Sequence, residues 1–175
     1  MRIISGIFKG RPLKPPKGLE VRPTTDRAKE SLFNLLMTVD LEEASVLDLF
    51  AGTGSISLEF VSRGAGHVTA IENNHRCAAF IHDMQEKLEI LNLNLLQTDV
   101  FRFLTKTRES FHIVFADPPF DMENLDTLVH MILEGDVLNE NGMFILEHDK
   151  SHAFNNHPRI RDHRVYGKVH FSIFQ

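Results

Sequence analysis

The segment DLFAGTGS, residues 48–55, places an aspartate and two glycines between an apolar run and the start of a helical pattern. Gly52 and Gly54 allow a tight turn and let a ligand approach main-chain N–H groups at a helix start. Twenty residues beyond Gly52 stands Glu72, at the end of the next apolar run. A carboxylate at that separation can accept both hydroxyls of an adenosine ribose. The third glycine of a dinucleotide fingerprint is replaced by Ser57, and there is no GK[ST] motif. The turn is therefore less suited to pyrophosphate, and a nucleoside ligand without phosphate fits better. Asp99, expected to close the third apolar run, can accept a hydrogen bond from an adenine amino group. Asp48, Glu72 and Asp99 thus fall at the carboxyl ends of successive strands, where open α/β sheets bind ligands.

The motif DPPF, residues 117–120, follows a fourth apolar run. Two prolines hold an extended, rigid turn, which can fix the Asp117 carboxylate and the Pro118 carbonyl as convergent acceptors. Two acceptors aimed at an exocyclic NH2 orient its nitrogen lone pair toward an electrophile, and Phe120 offers a face to a base removed from its stack. Without an adenosine-type site nearby, the same string reads only as a strand terminator with a core phenylalanine. Other candidates carry less. His148 and His152 have i, i+4 spacing, but no further ligands complete a metal site. Cys77, beside Ala78 and Ala79, reads as a packed small residue. Phe101 and Phe103 read as core, with Phe101 able to flank adenine, and Arg27 and Lys29 as the solvated side of a helix.

These residues need elements to position them. Residues 26–39 show an amphipathic helix with Ala28, Leu32, Leu35, Leu36 and Val39 on one face and Thr25 or Asp26 as cap. Strands are expected over 45–52, 67–74, 93–100, 111–120 and 142–148. Helices are expected over 55–64, about 76–91, a short stretch from Phe101, and 126–135. Five alternations of strand and helix predict an open, mainly parallel α/β sheet. The tail differs: 159–167 and 168–175 are two strands joined by a glycine turn, which must pair antiparallel. The first 25 residues hold Gly6, Gly10, Pro12, Pro15, Pro16, Gly18 and Pro23, a density that excludes a long helix and predicts a small β-hairpin extension ahead of a domain spanning 26–175.

The 175 residues suit one domain with an extension. A single cysteine excludes an internal disulfide. No apolar run approaches the ~20 residues needed to span a bilayer, and the first residues lack the apolar run of a secretory signal, so a cytoplasmic protein without a membrane partner is expected. The net charge of −5 hides an uneven distribution. Residues 1–30 hold eight basic against three acidic residues, residues 150–175 five against one, and the middle six against twenty. Basic ends around an acidic centre mark a surface that contacts a polyanion on a domain whose core does something else.

Taken together, DLFAGTG, Glu72, Asp99 and DPPF resemble a class I S-adenosylmethionine-dependent methyltransferase acting on an exocyclic amino nitrogen. The strings RIISGIFKGRPLKPP and RPTTDRAKESLFN narrow the resemblance to the bacterial 16S rRNA guanine-N2 methyltransferases of the RsmD type, over nearly the whole chain. The resemblance implies a Rossmann-like fold with a seven-stranded sheet. It places Asp48, Phe50, Ala51, Gly52, Thr53, Gly54, Glu72, Asn73, Asp99, Val100 and Asp117 around S-adenosylmethionine, which leaves as S-adenosylhomocysteine, with no metal. It gives the target guanine to Asp117, Pro118, Pro119 and Phe120, and the substrate entrance and RNA to Lys9, Arg11, Arg22, Pro23, Thr24 and Phe120. The implied partner is 16S rRNA in the small subunit or an assembly intermediate, met by a monomer. Competing readings are an adenine-N6 DNA methyltransferase, a protein glutamine methyltransferase, a nicotinamide-dependent dehydrogenase, and an RNA-binding module with a vestigial cofactor site.

Overall fold

A computed structural model describes residues 1–16, 18–19 and 26–175. The elements run α1 (Asp26–Leu35), β1 (Ser45–Asp48), α2 (Ser55–Ser62), β2 (His67–Ile71), α3 (His75–Leu88), β3 (Leu93–Leu96), α4 (Val100–Lys106), β4 (Phe111–Ala116), α5 (Leu125–Glu134), β5 (Leu138–His148), β6 (Ile160–Tyr166) and β7 (Val169–Phe174). The strands form one seven-stranded sheet in the order β3-β2-β1-β4-β5-β7-β6. The first five pair in parallel; β7 pairs antiparallel with both β5 and β6. The expected α/β class and the antiparallel C-terminal pair are both present.

Period-two alternation explains why both faces are covered. Val46, Ile113, Phe115 and Ile145 join one apolar cluster together with residues of α1, α2 and α3. Their neighbours Leu47, Val114, Ala116, Phe144 and Leu146 join a second cluster with α5. Strands buried on both faces read as continuous apolar runs, as a parallel sheet requires. Among the described residues no helix is long and apolar enough to cross a membrane.

Several boundaries differ from expectation for local reasons. Helix α1 stops at Leu35, and the N–H groups of Leu36, Met37 and Val39 bond three residues back; these tighter turns still bury Leu36. Strand β3 ends at Leu96, so Asp99 caps α4 instead of closing a strand. Strand β5 begins four residues earlier than its apolar run, because a register shift against β4 takes up the polar Asn139–Gly142 stretch, where Asn141 has φ 63°. Among the described residues the N-terminal segment has one antiparallel bridge, Arg2 to Pro12, rather than a ladder. Backbone bonds between Ile3 and Arg11, Gly10 and Ile3, and Leu13 and Met1 hold it closed, with Ile3 and Leu13 fully buried.

Lys29 is the clearest correction. Expected on a solvated helix side, it is fully buried, with its ammonium 2.6 Å from the Arg2 carbonyl and 3.3 Å from the Glu59 carboxylate. Arg27, by contrast, is exposed.

Candidate active site

The strand order reverses between β1 and β4, which neighbour each other while their chains continue to opposite sides. That arrangement opens a crevice at the carboxyl ends of the two strands. Asp48 is the last residue of β1, Glu72 follows β2, and Asp117 follows β4. The N–H of Leu49 donates to Phe115 and that of Ala51 to Ile71, so the chain leaving β1 is tied to both neighbouring strands before it turns.

The turn depends on Gly54, which has φ 72° and precedes α2 without a side-chain cap. A Cβ there would lie 2.8 Å from Ile81 of α3, so glycine serves both the left-handed backbone and the approach of the two helices. At Gly52, also left-handed at φ 54°, a Cβ would meet only the Phe50 carbonyl, at 4.0 Å. The space beside it is open, and a ligand can reach the backbone.

Asp48 is buried to 1% exposure. Its Oδ2 accepts the Ser57 hydroxyl at 2.6 Å, and Ser57 also donates its backbone N–H. Its Oδ1 is buried with no hydrogen-bond partner among the described residues, as is the hydroxyl of Ser55. An orphaned carboxylate oxygen at a helix start costs free energy unless a donor arrives. Burial, reinforced by the charges of Asp117 and Glu72 and opposed by the Ser57 hydrogen bonds, pushes the Asp48 carboxyl up to about 7.

Glu72 is half-buried and braces the glycine turn. Its Oε2 accepts the Gly52 N–H and its Oε1 the Asn74 N–H, each at 2.6 Å. Burial raises its pKa above the usual carboxylate value against the pull of these N–H groups. With the Asn73 N–H also bonded to it, the carboxylate keeps accepting capacity for a ribose hydroxyl. Asn73 is exposed at the same rim. Asp99 is exposed, and its Oδ1 accepts the Arg102 N–H at 2.9 Å; Val100 behind it is buried and Phe101 half-buried.

The prolines place the remaining groups. Asp117 is half-buried and Pro118 buried, whereas Pro119 and Phe120 are exposed, Phe120 to 38%. Phe50 is half-buried and Ala51 buried on the opposite lip, and the Thr53 hydroxyl points toward the Met1 sulfur at 3.9 Å. The N-terminal segment therefore reaches the glycine turn. Lys9 and Arg11 are exposed on that segment; Arg22, Pro23, Thr24 and the candidate cap Thr25 lie outside the described residues.

Sequence reasoning overlooked Ser57 as a site residue. It registered only as a missing glycine, although a hydroxyl at that position on the first turn of α2 faces the strand-end aspartate. Cys77 is fully buried, and its thiol pKa is raised by burial. His148 is also buried, bonded to Ser172 and to the Asp149 carbonyl. No group of three or more histidine, cysteine or acidic side chains among the described residues is arranged to hold a metal.

The site fits S-adenosylmethionine by the chemistry of its donor and acceptor set. A lone buried carboxylate oxygen suits a cationic amino group, the open face of Gly52 suits close backbone contact, and Glu72 suits a diol. Comparison with known proteins points the same way. The family described as Conserved hypothetical protein 95 matches residues 1–175. Ribosomal RNA small subunit methyltransferase D of Escherichia coli (strain K12) is 30% identical over 178 residues, covering 100% of this chain and 89% of that protein. The protein of the same name from Haemophilus influenzae is 33% identical over 157 residues, covering 86% and 79%. The solved structure of yhhF from Escherichia coli superposes with a TM-score of 0.88 at 31% identity, covering 100% of this chain and 97% of that one. Matched along its full length, and with the glycine turn and strand-end carboxylates in place, the chain belongs to this family, the class I methyltransferases of the ribosomal RNA small subunit methyltransferase D type.

Proposed function

We propose that the protein transfers a methyl group from S-adenosylmethionine to the exocyclic N2 of a guanine in 16S rRNA, acting as a cytoplasmic monomer without a metal. The observation that carries this reading is the DPPF turn leaving β4 directly beside β1, with the Asp117 charge felt at Asp48. A turn that holds an amino-group acceptor beside a cofactor carboxylate is what transfer to an exocyclic nitrogen needs. The named small-subunit relatives support rRNA as the substrate class.

When bound, S-adenosylmethionine supplies an electrophilic methyl group on a sulfonium. The protein's task is then alignment and the exclusion of competing poses. Asp48, Phe50, Ala51 and Thr53 with the open backbone face of Gly52 and Gly54 would hold the methionine end, Glu72 and Asn73 the ribose, and Asp99 with Val100 the adenine. Asp117 and the Pro118 carbonyl accept hydrogen bonds from the two N–H groups of the target amine, which turns its lone pair toward the cofactor side. Pro119 keeps the turn rigid, and Phe120 stacks on the flipped base. The amine becomes acidic only as its new bond forms, so Asp117 acts as acceptor and orienter and needs no raised basicity. Residues 1–25 form the RNA-contacting extension and 26–175 the catalytic domain, with Lys9, Arg11, Arg22, Pro23 and Thr24 toward the RNA.

The test is tritiated methyl transfer to undermethylated small subunits, free rRNA, duplex DNA and protein, followed by nucleoside analysis. Labelled N2-methylguanosine from rRNA is expected; label in adenine or in protein would overturn the substrate. Asp117→Ala should abolish transfer and leave S-adenosylmethionine binding within about threefold. Unchanged turnover in that variant removes Asp117 from the mechanism.

A further inference from the structure

A cleft of about 310 Å³ lies between the N-terminal segment and α3. Phe80, Met84 and Leu88 line it from the helix, and Arg11, Lys14 and Lys87 bring three cations to it, with no acidic residue in the lining. Helical spacing accounts for this on the α3 side. Phe80, Met84, Lys87 and Leu88 recur at i, i+4, i+7 and i+8 and share one face, while His82 and Glu86 fall on the other and Asp83 sits at the edge of the shared face, one turn before Lys87. None of the acidic residues of α3 lines the cleft, in a chain whose middle is strongly acidic. Arg11, Lys14 and Lys87 are exposed, and Phe80 and Met84 are buried beneath them.

The cleft also has a direction. The segment passes Lys87 and Met84 at Arg11 to Lys14, and by Gly18 it has reached the first turn of α3, where the Arg76 guanidinium donates to the Gly18 carbonyl at 3.2 Å. Arg76 and Lys87 are separated by ~16 Å along the helix axis at the standard rise per residue. Helix α3 starts three residues after Glu72. The segment that walls the cleft therefore runs on from it toward the cofactor end of the sheet.

We propose that this cleft is a docking site for the phosphodiester backbone of the RNA flanking the target base, with Lys87 of α3 as a contact residue alongside Arg11 and Lys14. The inference rests on rRNA being the substrate and adds a helix to which no substrate role has been given so far. Three cations over an apolar floor match phosphates on one side and the faces of ribose or base on the other. Continuity with the segment that already carries Lys9 and Arg11 favours RNA over an acidic protein.

The test compares wild type, Lys87→Glu and Lys87→Arg in two separate readouts. Binding to a 16S rRNA transcript without cofactor, measured across salt concentrations, reads the docking alone; methyl transfer to undermethylated small subunits reads the reaction. Lys87→Glu is expected to weaken transcript binding about tenfold, to lower the salt slope by about one, and to raise KM for subunits by a similar factor. Its kcat and S-adenosylmethionine affinity should stay within twofold, and Lys87→Arg should behave as wild type. Wild-type transcript affinity and salt slope in Lys87→Glu overturn the proposal. A KM increase on whole subunits with unchanged transcript binding assigns the contact to a protein and equally overturns it. Failure of the wild type to methylate RNA would sink the substrate reading, while the binding arm still decides the docking site.

Discussion

Asp48 joins the sequence most directly to a measurable property. Its carboxyl is pushed up to about 7 by burial among Asp117 and Glu72, and one oxygen has no partner among the described residues. A cationic amino group bound there favours the ionised form. The sign follows: below about pH 7 binding must expel a proton from Asp48 and S-adenosylmethionine affinity should fall by up to ~10-fold per pH unit, whereas above it affinity should level off until the ligand's own α-amino group loses its charge at pH ~8. Calorimetric titration between pH 5.5 and 8.5 checks this, and affinity independent of pH would contradict it. Ser57→Ala removes the hydroxyl that favours the ionised carboxylate, so the midpoint of the same profile should move to higher pH. Asp48, Gly52, Gly54 and Glu72 were legible in the sequence because strand ends and glycine spacing are one-dimensional signals. The Ser57 to Asp48 bond was not, since it depends on how the first turn of α2 faces the strand that precedes it.

At the scale of elements, the N-terminal segment is fixed to α2 by the buried Glu59 carboxylate and by Ser62, which bonds Ser5, Ile7 and Phe8. Glu59 of α2 accepts the N–H groups of Ile4 at 2.8 Å and Ser5 at 2.9 Å, the Lys29 ammonium at 3.3 Å and the Arg63 guanidinium at 2.9 Å. Both the Lys29 and Glu59 side chains are fully buried. Burial pulls the Lys29 pKa below the ordinary lysine value, and the Glu59 charge opposes that pull. Removing one partner of such a pair costs ~3–5 kcal/mol because the other charge stays buried. Glu59→Ala should therefore destabilise by about that amount in urea unfolding. Lys29→Met should cost clearly less, because Glu59 keeps Arg63 and two backbone donors. Equal losses would mean the carboxylate is not the hub. Gly6→Ala tests the same joint without touching a charge: at φ 79° its Cβ would fall 1.6 Å from the Ser62 carbonyl of α2, so the segment should detach locally and KM for rRNA should rise more than S-adenosylmethionine affinity falls. Helix and strand order could be read from periodicity and glycine punctuation. The buried lysine could not, because its partner lies thirty residues away on another helix, and helical spacing alone gives a lysine to solvent. The bulged start of β5 was also hidden, since Asn-Glu-Asn-Gly has the composition of a turn.

For the molecule as a whole, two buried sites at different places in the sheet give stability opposite responses to pH. At the β5/β7 pairing His148 is 1% exposed. Its Nδ1 lies 2.6 Å from the Asp149 carbonyl, and its Nε2 lies 2.8 Å from the Ser172 hydroxyl. The ring therefore donates to the carbonyl and, when neutral, accepts from Ser172. Burial, with smaller contributions from His163, His170 and His152, holds its pKa below the usual histidine value. The unfolded chain then takes up a proton near pH 6.5 that the folded protein resists, so stability should fall as pH drops below about 6.5. Asp48 works the other way. Its pKa is raised on folding, so the folded state holds a proton that the unfolded chain has lost, and stability should fall as pH rises from about 4 to about 7. The two windows overlap just below pH 6.5, where the slopes partly cancel in the wild type. His148→Gln removes one contribution, so the profile should tilt toward stability that declines with rising pH, against the lowered His163 that remains. Asp48→Asn removes the other, so the profile should tilt toward stability that improves with rising pH, against the raised Glu72 that remains. Urea unfolding of the three proteins from pH 4.5 to 7.5 separates the contributions, and variants whose profiles merely shift parallel to the wild type would show that neither group sets the pH dependence of the fold. Bound S-adenosylmethionine should oppose the Asp48 effect, so its stabilisation of the wild type should grow from pH 5.5 to 7 and its stabilisation of Asp48→Asn should not.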